Sequence, residues 1–258
     1  MIATLNGNLV VRFTDYSTHE PFFSFLGDGE TEHTARTLIN YSKANGMPAE
    51  LRLVPEISTQ GIRPSVLTIQ EDRDNFDYVY SISKLAVLSG SEYLTRRGKS
   101  NKFQRENPGA IVEAIDFADA EAQRSILAIT EIWERNKIDE RKSYEIEHER
   151  EALKRLCATA DSHHLVATAI FLNRNMIAFS IEEILSNSYC ICHFWKADTL
   201  HTGIFDFLMQ KKAQHLENQG VALINYEQDL GVPNLRAAKL GFRPSTYLKK
   251  YIIDMNSA

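Results

Sequence analysis

Two long apolar runs, His164–Leu172 and Met176–Leu185, lie on either side of Asn173-Arg174-Asn175. Runs of branched and aromatic residues joined by so short a polar turn fold as an antiparallel hairpin. A third run, Tyr189–Trp195, follows after a brief polar break. Three successive strands demand a sheet, and a sheet demands helices or a second sheet to cover its apolar faces. The neighbouring segments supply helices. Asp119–Lys137 carries Ala122, Ile126, Ile129 and Trp133 at helical spacing, with Asp119 placed to cap its start. Glu145–Ala160 predicts a second, more polar helix, His201–Gln219 a third closed by Gly220, and Pro233–Leu240 a fourth. Ile111–Ile115, Ala222–Tyr226 and Thr246–Ile253 complete the set of strands. The expected order is strand, helix, helix, three strands, helix, strand, helix, strand.

Before this half, Glu106-Asn107-Pro108-Gly109 is the strongest turn signal, and it divides the chain into 1–108 and 109–258. In the first part, Thr31–Ala44 predicts a helix with Ala35, Leu38 and Ile39 on one side and Asn45-Gly46 as its stop. Leu51–Val54 and Asp77–Tyr80 predict strands, and Ser83–Glu106 predicts a helical stretch bent or weakened at Gly90 and Gly98. The fold class is therefore α/β (α+β), in two lobes, each a mixed central sheet flanked by helices.

Hydrophobic residues make up 43% of the 258 and charged residues 24%, which is the composition of a chain with a packed core. The net charge of -5 excludes a protein that coats nucleic acid over its whole surface and leaves room for a local basic groove. Arg96, Arg97, Lys99, Lys102 and Arg105 form the one cationic tract dense enough for such a groove; a solvated helix face is the competing explanation. No apolar run reaches the roughly 20 residues of a membrane helix, and the first residues lack the layout of a secretion signal. Three cysteines do not make a disulfide framework, so a reduced, cytoplasmic protein is expected. Cys190 and Cys192 share one face of a strand and fit small buried side chains better than metal ligands. The eight histidines show no metal-binding spacing, His163-His164 reads as a turn, and no serine sits in a Gly-x-Ser-x-Gly setting.

The segment Asn225-Tyr-Glu-Gln-Asp-Leu-Gly-Val-Pro-Asn-Leu-Arg-Ala-Ala-Lys-Leu-Gly-Phe-Arg-Pro244 resembles the signature of the phosphatidylglycerol lysyltransferase C-terminal domain family. That signature is a strand ending N-x-E-Q-D-x-G followed by L-R-x-x-K. Two further segments resemble the same family: His193-Phe-Trp-Lys-Ala-Asp198 with Gly203 after it, and Asp77–Tyr80 followed by Leu85, Leu88-Ser-Gly90, Tyr93, Arg97, Asn101 and Phe103. The matches run from about Phe22 to Tyr251. The resemblance implies a GNAT-type acyltransferase fold in both lobes, with the fourth and fifth strands of the C-terminal lobe splaying apart where substrates meet. It also implies kinship with Fem-type peptidyltransferases and a donor that is an aminoacyl ester on tRNA. Asn225, Arg97 and Asn101 are implied as substrate-binding residues by their place in these motifs.

The residue types suit that chemistry. Glu227 and Asp229 lie two apart at a strand end, so both can point to one side and either bind an ammonium or accept a proton; capping of the next helix is the competing role for Asp229. Arg236 and Lys239, three apart on a short helix, can hold a phosphate or an oxyanion, or pair with the two acids. Glu227, Asp229, Arg236 and Lys239 are the catalytic candidates. Lys196 and Asp198, just beyond an apolar strand, are candidates for binding substrate. The stretch Ala197–Phe205 holds one glycine and lacks the Arg/Gln-x-x-Gly-x-Gly/Ala loop that cradles the coenzyme A pyrophosphate, which disfavours that donor in its usual mode. No cofactor is expected; the expected partners are the acceptor end of tRNA and a small soluble or lipid head-group acceptor. An acetyl-coenzyme A-dependent N-acetyltransferase and a non-catalytic ligand- or tRNA-binding protein remain as alternatives.

Overall fold

The computed structural model of the chain describes residues 1–15, 18–136, 146–160, 165–185 and 188–256. The turn expected at His163-His164 lies outside them. In chain order the elements are β1 (Ile2–Leu5), β2 (Asn8–Thr14), β3 (Pro21–Leu26), α1 (Thr31–Ala44), β4 (Glu50–Pro55), α2 (Glu56–Thr59), β5 (Leu67–Glu71), β6 (Asp77–Ser81), α3 (Ile82–Val87) and α4 (Leu94–Glu106). There follow β7 (Ile111–Ile115), α5 (Ala120–Asn136), α6 (Ile146–Ala158), β8 (Leu165–Leu172), β9 (Asn175–Leu185), β10 (Tyr189–Ala197), α7 (Ile204–Asn218), β11 (Leu223–Asn225), α8 (Pro233–Leu240), β12 (Thr246–Leu248) and β13 (Lys250–Met255).

The chain folds into two units that do not follow its linear order. The first comprises Met1–Asp77, Gln228–Pro233 and Tyr247–Ala258; the second comprises Tyr78–Glu227 and Asn234–Thr246. The turn at Glu106–Gly109, chosen from sequence to divide the chain, joins α4 to β7 inside the second unit. It is a sharp turn, as Pro-Gly predicts, but α4 on one side of it packs on α7, which belongs to the same unit. The final stretch Thr246–Ile253, expected as one strand, is two: β12 joins the second unit's sheet and β13 the first's.

The sheet of the first unit has the order β1-β2-β3-β4-β13-β5. Its pairs are antiparallel except β3 with β4. Ala35, Leu38 and Ile39 of α1, the face its spacing predicts, pack with Phe23, Phe25, Leu51, Val54, Leu67 and Ile253 to form its core.

The sheet of the second unit has the order β12-β6-β11-β10-β9-β8-β7. The β8–β9 hairpin closes through Asn173 and Arg174, both with positive φ (52° and 66°), the turn geometry that matches the twist of the strands it joins. Asp119 caps α5: its Oδ2 accepts the Ala122 N–H at 2.9 Å. Side chains of β9 alternate between two covered faces. Phe179 and Ile181 pack in a core with Ile126 and Ile129 of α5 and Leu153 of α6, while Ala178 packs with Phe207 and Leu208 of α7 and Phe103 of α4. The helical stretch expected over Ser83–Glu106 breaks where Leu88 (φ 52°) and Gly90 (φ 88°) turn left-handed, giving α3 and α4.

Candidate active site

The sheet opens between β10 and β11. These strands pair in parallel only through Tyr189–Leu223, Cys190–Ile224 and Ile191–Asn225, although β10 runs on to Ala197. On the α7 side, beyond the last pair, Trp195 leans edge-on toward Tyr226, their ring centroids 5.3 Å apart, and Phe205 and Phe242 pack beside it.

Glu227 stands where β11 ends. Its backbone has φ 55°, a left-handed conformation that a side chain with a Cβ adopts at a cost of about 1–2 kcal/mol. Three groups hold it there. Asn225 Oδ1 accepts the Glu227 N–H at 2.7 Å, Tyr78 N donates to its carbonyl at 3.1 Å, and Lys239 Nζ donates to the same carbonyl at 3.2 Å and to that of Tyr226 at 2.5 Å. Backbone strain held by several partners is a mark of functional sites. The Glu227 side chain remains about half exposed, at 47%.

Across the opening, β10 carries a bulge. Cys192 lies opposite Glu182 and Phe194 opposite Ile181, so His193 is the extra residue with no partner in the ladder. Its Nε2 lies 2.9 Å from Glu183 Oε2 and its Nδ1 3.9 Å from Glu227 Oε1. The side chains of His193 and Glu183 are each about a quarter exposed. One histidine thus lies between two carboxylates at the mouth of the opening. Among the described residues no group of three or more His, Cys, Asp and Glu is arranged to hold a metal.

The face of the same ladder that meets α7 holds a sealed counterpart. Lys212 of α7 is fully buried; its Nζ donates to Glu182 Oε1 at 2.6 Å and lies 3.3 Å from Cys192 Sγ and 4.5 Å from the centre of the Tyr226 ring. Burial pushes the Cys192 thiol up to about 12 and the Tyr226 hydroxyl well above its ordinary value. Burial also opposes a charge on Lys212, but Cys192 and Glu182 outweigh it and hold the ammonium above the usual lysine range. Cys190 and Cys192 are buried, on the side their spacing predicts to be core.

The other candidates named from sequence fall into several groups. Asp229 is in the segment that belongs to the first unit, whereas Glu227, Arg236 and Lys239 are in the second. There Asp229 is fully buried, accepts the Gly231 N–H at 2.9 Å and meets Arg73 Nη1 at 3.5 Å. Arg236 is half-buried on α8. Lys239 is engaged with backbone carbonyls, and Asn225 with the Glu227 N–H, so both position Glu227. Lys196 is buried; it pairs with Glu149 of α6 and its Nζ lies 3.9 Å over the Trp133 ring. Asp198 Oδ1 accepts from Leu200 N at 3.0 Å and Asn136 Nδ2 at 3.3 Å. In the cationic tract, Arg97 donates to the carbonyls of Leu88 and Gly90, and Arg96 to Asp206 and the carbonyls of Ala238 and Gly241. Lys99, Lys102 and Arg105 are exposed along α4, as is Asn101. His193 and Glu183 were not singled out from sequence. His193 opens the motif His193–Asp198, but only the bulge and the β9–β10 register bring it to Glu183.

A mixed sheet covered by helices on both faces, with a parallel pair that opens near its middle, is the architecture of the GNAT acyltransferase fold. A GCN5-related N-acetyltransferase from Kribbella flavida shares this fold over 100% of this chain and 90% of its own, with a TM-score of 0.50 at 11% identity. Within that class, the chain belongs to the family described as phosphatidylglycerol lysyltransferase, C-terminal, which matches residues 7–254. A conserved protein of unknown function from Bacteroides thetaiotaomicron is 25% identical, with 99% of this chain and 85% of that chain covered and a TM-score of 0.82. L-PGS from Bacillus licheniformis is 12% identical, with 97% and 82% covered and a TM-score of 0.61. No curated protein matches the sequence. Among the described residues, no helix is long and apolar enough to cross a membrane.

Proposed function

We propose that this chain is an acyltransferase that takes an aminoacyl group from its ester on tRNA and passes it to the amine or hydroxyl of a small soluble or lipid head-group acceptor. The observation that carries the reading is Glu227, held in a strained backbone at the opening between β10 and β11 with its side chain about half exposed, at 47%. A carboxylate there suits an acyl group bearing an ammonium, which an acetyl group lacks. Membership of the lysyltransferase family supports the same donor. The start of α7 supports it too. A Cβ on Gly203 would come within 2.3 Å of the Lys99 carbonyl oxygen, so α4 lies against the helix start where coenzyme A phosphates are usually held. Lys99, Lys102 and Arg105 on α4 offer charge for tRNA phosphates.

The test is to incubate the purified protein with radiolabelled aminoacyl-tRNAs and a panel of amines and hydroxyl compounds, and to follow ester loss and product. Transfer above spontaneous hydrolysis is expected, and Glu227→Gln is expected to lower kcat by about 100-fold or more. Micromolar binding of acetyl-coenzyme A by calorimetry, together with no consumption of any aminoacyl-tRNA, overturns the reading.

A further inference from the structure

We propose that His193 is the proton-transfer residue of this reaction and that Glu183 fixes its tautomer; the inference rests on the acyl-transfer reading above. Three features of the structure converge on it. The first is position. His193 is the unpaired residue of the β10 bulge, two residues beyond Ile191, where the pairing with β11 ends. A bulge at such a point re-aims a side chain that a regular strand would commit to the ladder.

The second is the difference between its two nitrogens. Nε2 is at hydrogen-bond distance from Glu183 Oε2, 2.9 Å, whereas Nδ1 is 3.9 Å from Glu227 Oε1, too far for a direct bond. In the neutral imidazole a carboxylate at Nε2 keeps the proton there and leaves the Nδ1 lone pair open. An acceptor N–H or O–H can then approach Nδ1 from the open side, while the Glu227 carboxylate, 3.9 Å away, meets the ammonium of the acyl donor.

The third is access. His193, Glu183 and Glu227 have side chains 27%, 28% and 47% exposed, while Glu182 and Cys192 next to them in sequence are sealed against α7. The open cluster can exchange protons with a substrate.

The step balances. The acceptor nitrogen or oxygen forms a bond to the acyl carbon and gives its proton to Nδ1. Glu183 stabilises the resulting imidazolium. The acyl carbon–oxygen bond of the ester then breaks, and the departing ribose oxygen takes the proton from His193. The imidazole returns to its first state, and no oxidant, reductant or metal is consumed.

The test uses the full chain with the donor and acceptor pair on which the wild-type protein is active. His193→Ala is expected to lower kcat by about 100- to 10,000-fold, with KM within a few-fold of wild type, and added imidazole is expected to restore part of the rate. Glu227→Gln is expected to gain nothing from imidazole. A His193→Ala rate within threefold of wild type overturns the proposal, as does a loss seen in KM alone. A second measurement does not depend on activity. In protein labelled with 15N-histidine, His193 is expected as the Nε2–H tautomer at alkaline pH, and Glu183→Ala, which removes the acceptor, is expected to abolish that preference. An Nδ1–H tautomer in the wild type overturns the arrangement. If no aminoacyl ester is consumed by the wild type, the functional reading fails while the tautomer still decides the placement of His193.

Discussion

Glu182 and Glu183 are neighbours on β9, and Cys192 and His193 are neighbours on β10, yet the two pairs live in different media. Glu182 and Cys192 face α7, fully or almost fully buried, with Lys212 between them. Glu183 and His193 meet on the other side of the ladder, open to solvent and to Glu227. The period of two along a strand separates them, and the bulge at His193 increases the difference by freeing that one residue from the ladder. Two acids one residue apart therefore have opposite tasks. The buried one neutralises a lysine that the core would otherwise expel; the open one can orient an imidazole. A charged group's burial, more than its identity, decides whether it supports the fold or the chemistry.

Lys212 carries the largest expected effect on the buried face. Lys212→Met leaves Glu182 as an unpaired buried carboxylate and is expected to lower stability by about 3–5 kcal/mol in urea unfolding. Adding Glu182→Leu removes the stranded charge, so the double variant is expected to recover most of that loss. A double variant no more stable than the single one would show that shape, not charge, sets the cost. The same cluster makes a chemical prediction. With its thiol pushed up to about 12, Cys192 is expected to stay silent toward thiol reagents at pH 8 in the native protein and to react on unfolding. Cys157, only partly buried, is expected to react first.

A smaller effect of opposite sign is expected at Glu227. Glycine takes φ 55° without steric penalty, so Glu227→Gly is expected to hold or raise unfolding stability by up to about 1 kcal/mol while abolishing transfer. Asn225→Ala removes the acceptor of the Glu227 N–H and is expected to lower both, stability by about 1 kcal/mol and kcat with it. Equal stability losses in the two variants would mean that Glu227 stores no strain.

Much of the second unit was legible in the sequence because its elements are long and periodic. α8 and β7 lie where their patterns end, α5 starts after its Asp119 cap, and the Asn173-Arg174 turn closes its hairpin. The first unit was less legible. β1, β2 and β5 are strands whose exposed residues blur the alternation, and β3, buried at four consecutive positions, shows no alternation at all. The departure of β13 to the first sheet is a pairing across nearly 200 residues, which no local pattern carries. In the site, Glu227 was legible as an acid at a strand end, but its left-handed backbone was not. Lys239 reads in the sequence as a cation for a phosphate, an oxyanion or one of the two acids, because a sequence does not record which carbonyls lie nearby. Arg96 and Arg97 looked like part of a cationic surface for the same reason. His193 needed both the register of β9 on β10 and the bulge.

The smallest expected effect is the one that most directly separates the two faces. Glu183→Gln and His193→Gln change groups with roughly a quarter of their side-chain surface in water, and the pair they form is of the exposed kind that contributes about 0–1 kcal/mol. Neither substitution leaves a buried charge behind. Each is therefore expected to change unfolding free energy by no more than about 0.5 kcal/mol, an order of magnitude below Lys212→Met, while removing most of the transfer rate. If His193→Gln instead destabilised the protein as much as Lys212→Met does, the β10 bulge would be a structural joint. The division between a face that holds the sheet together and a face that works on a substrate would then be lost.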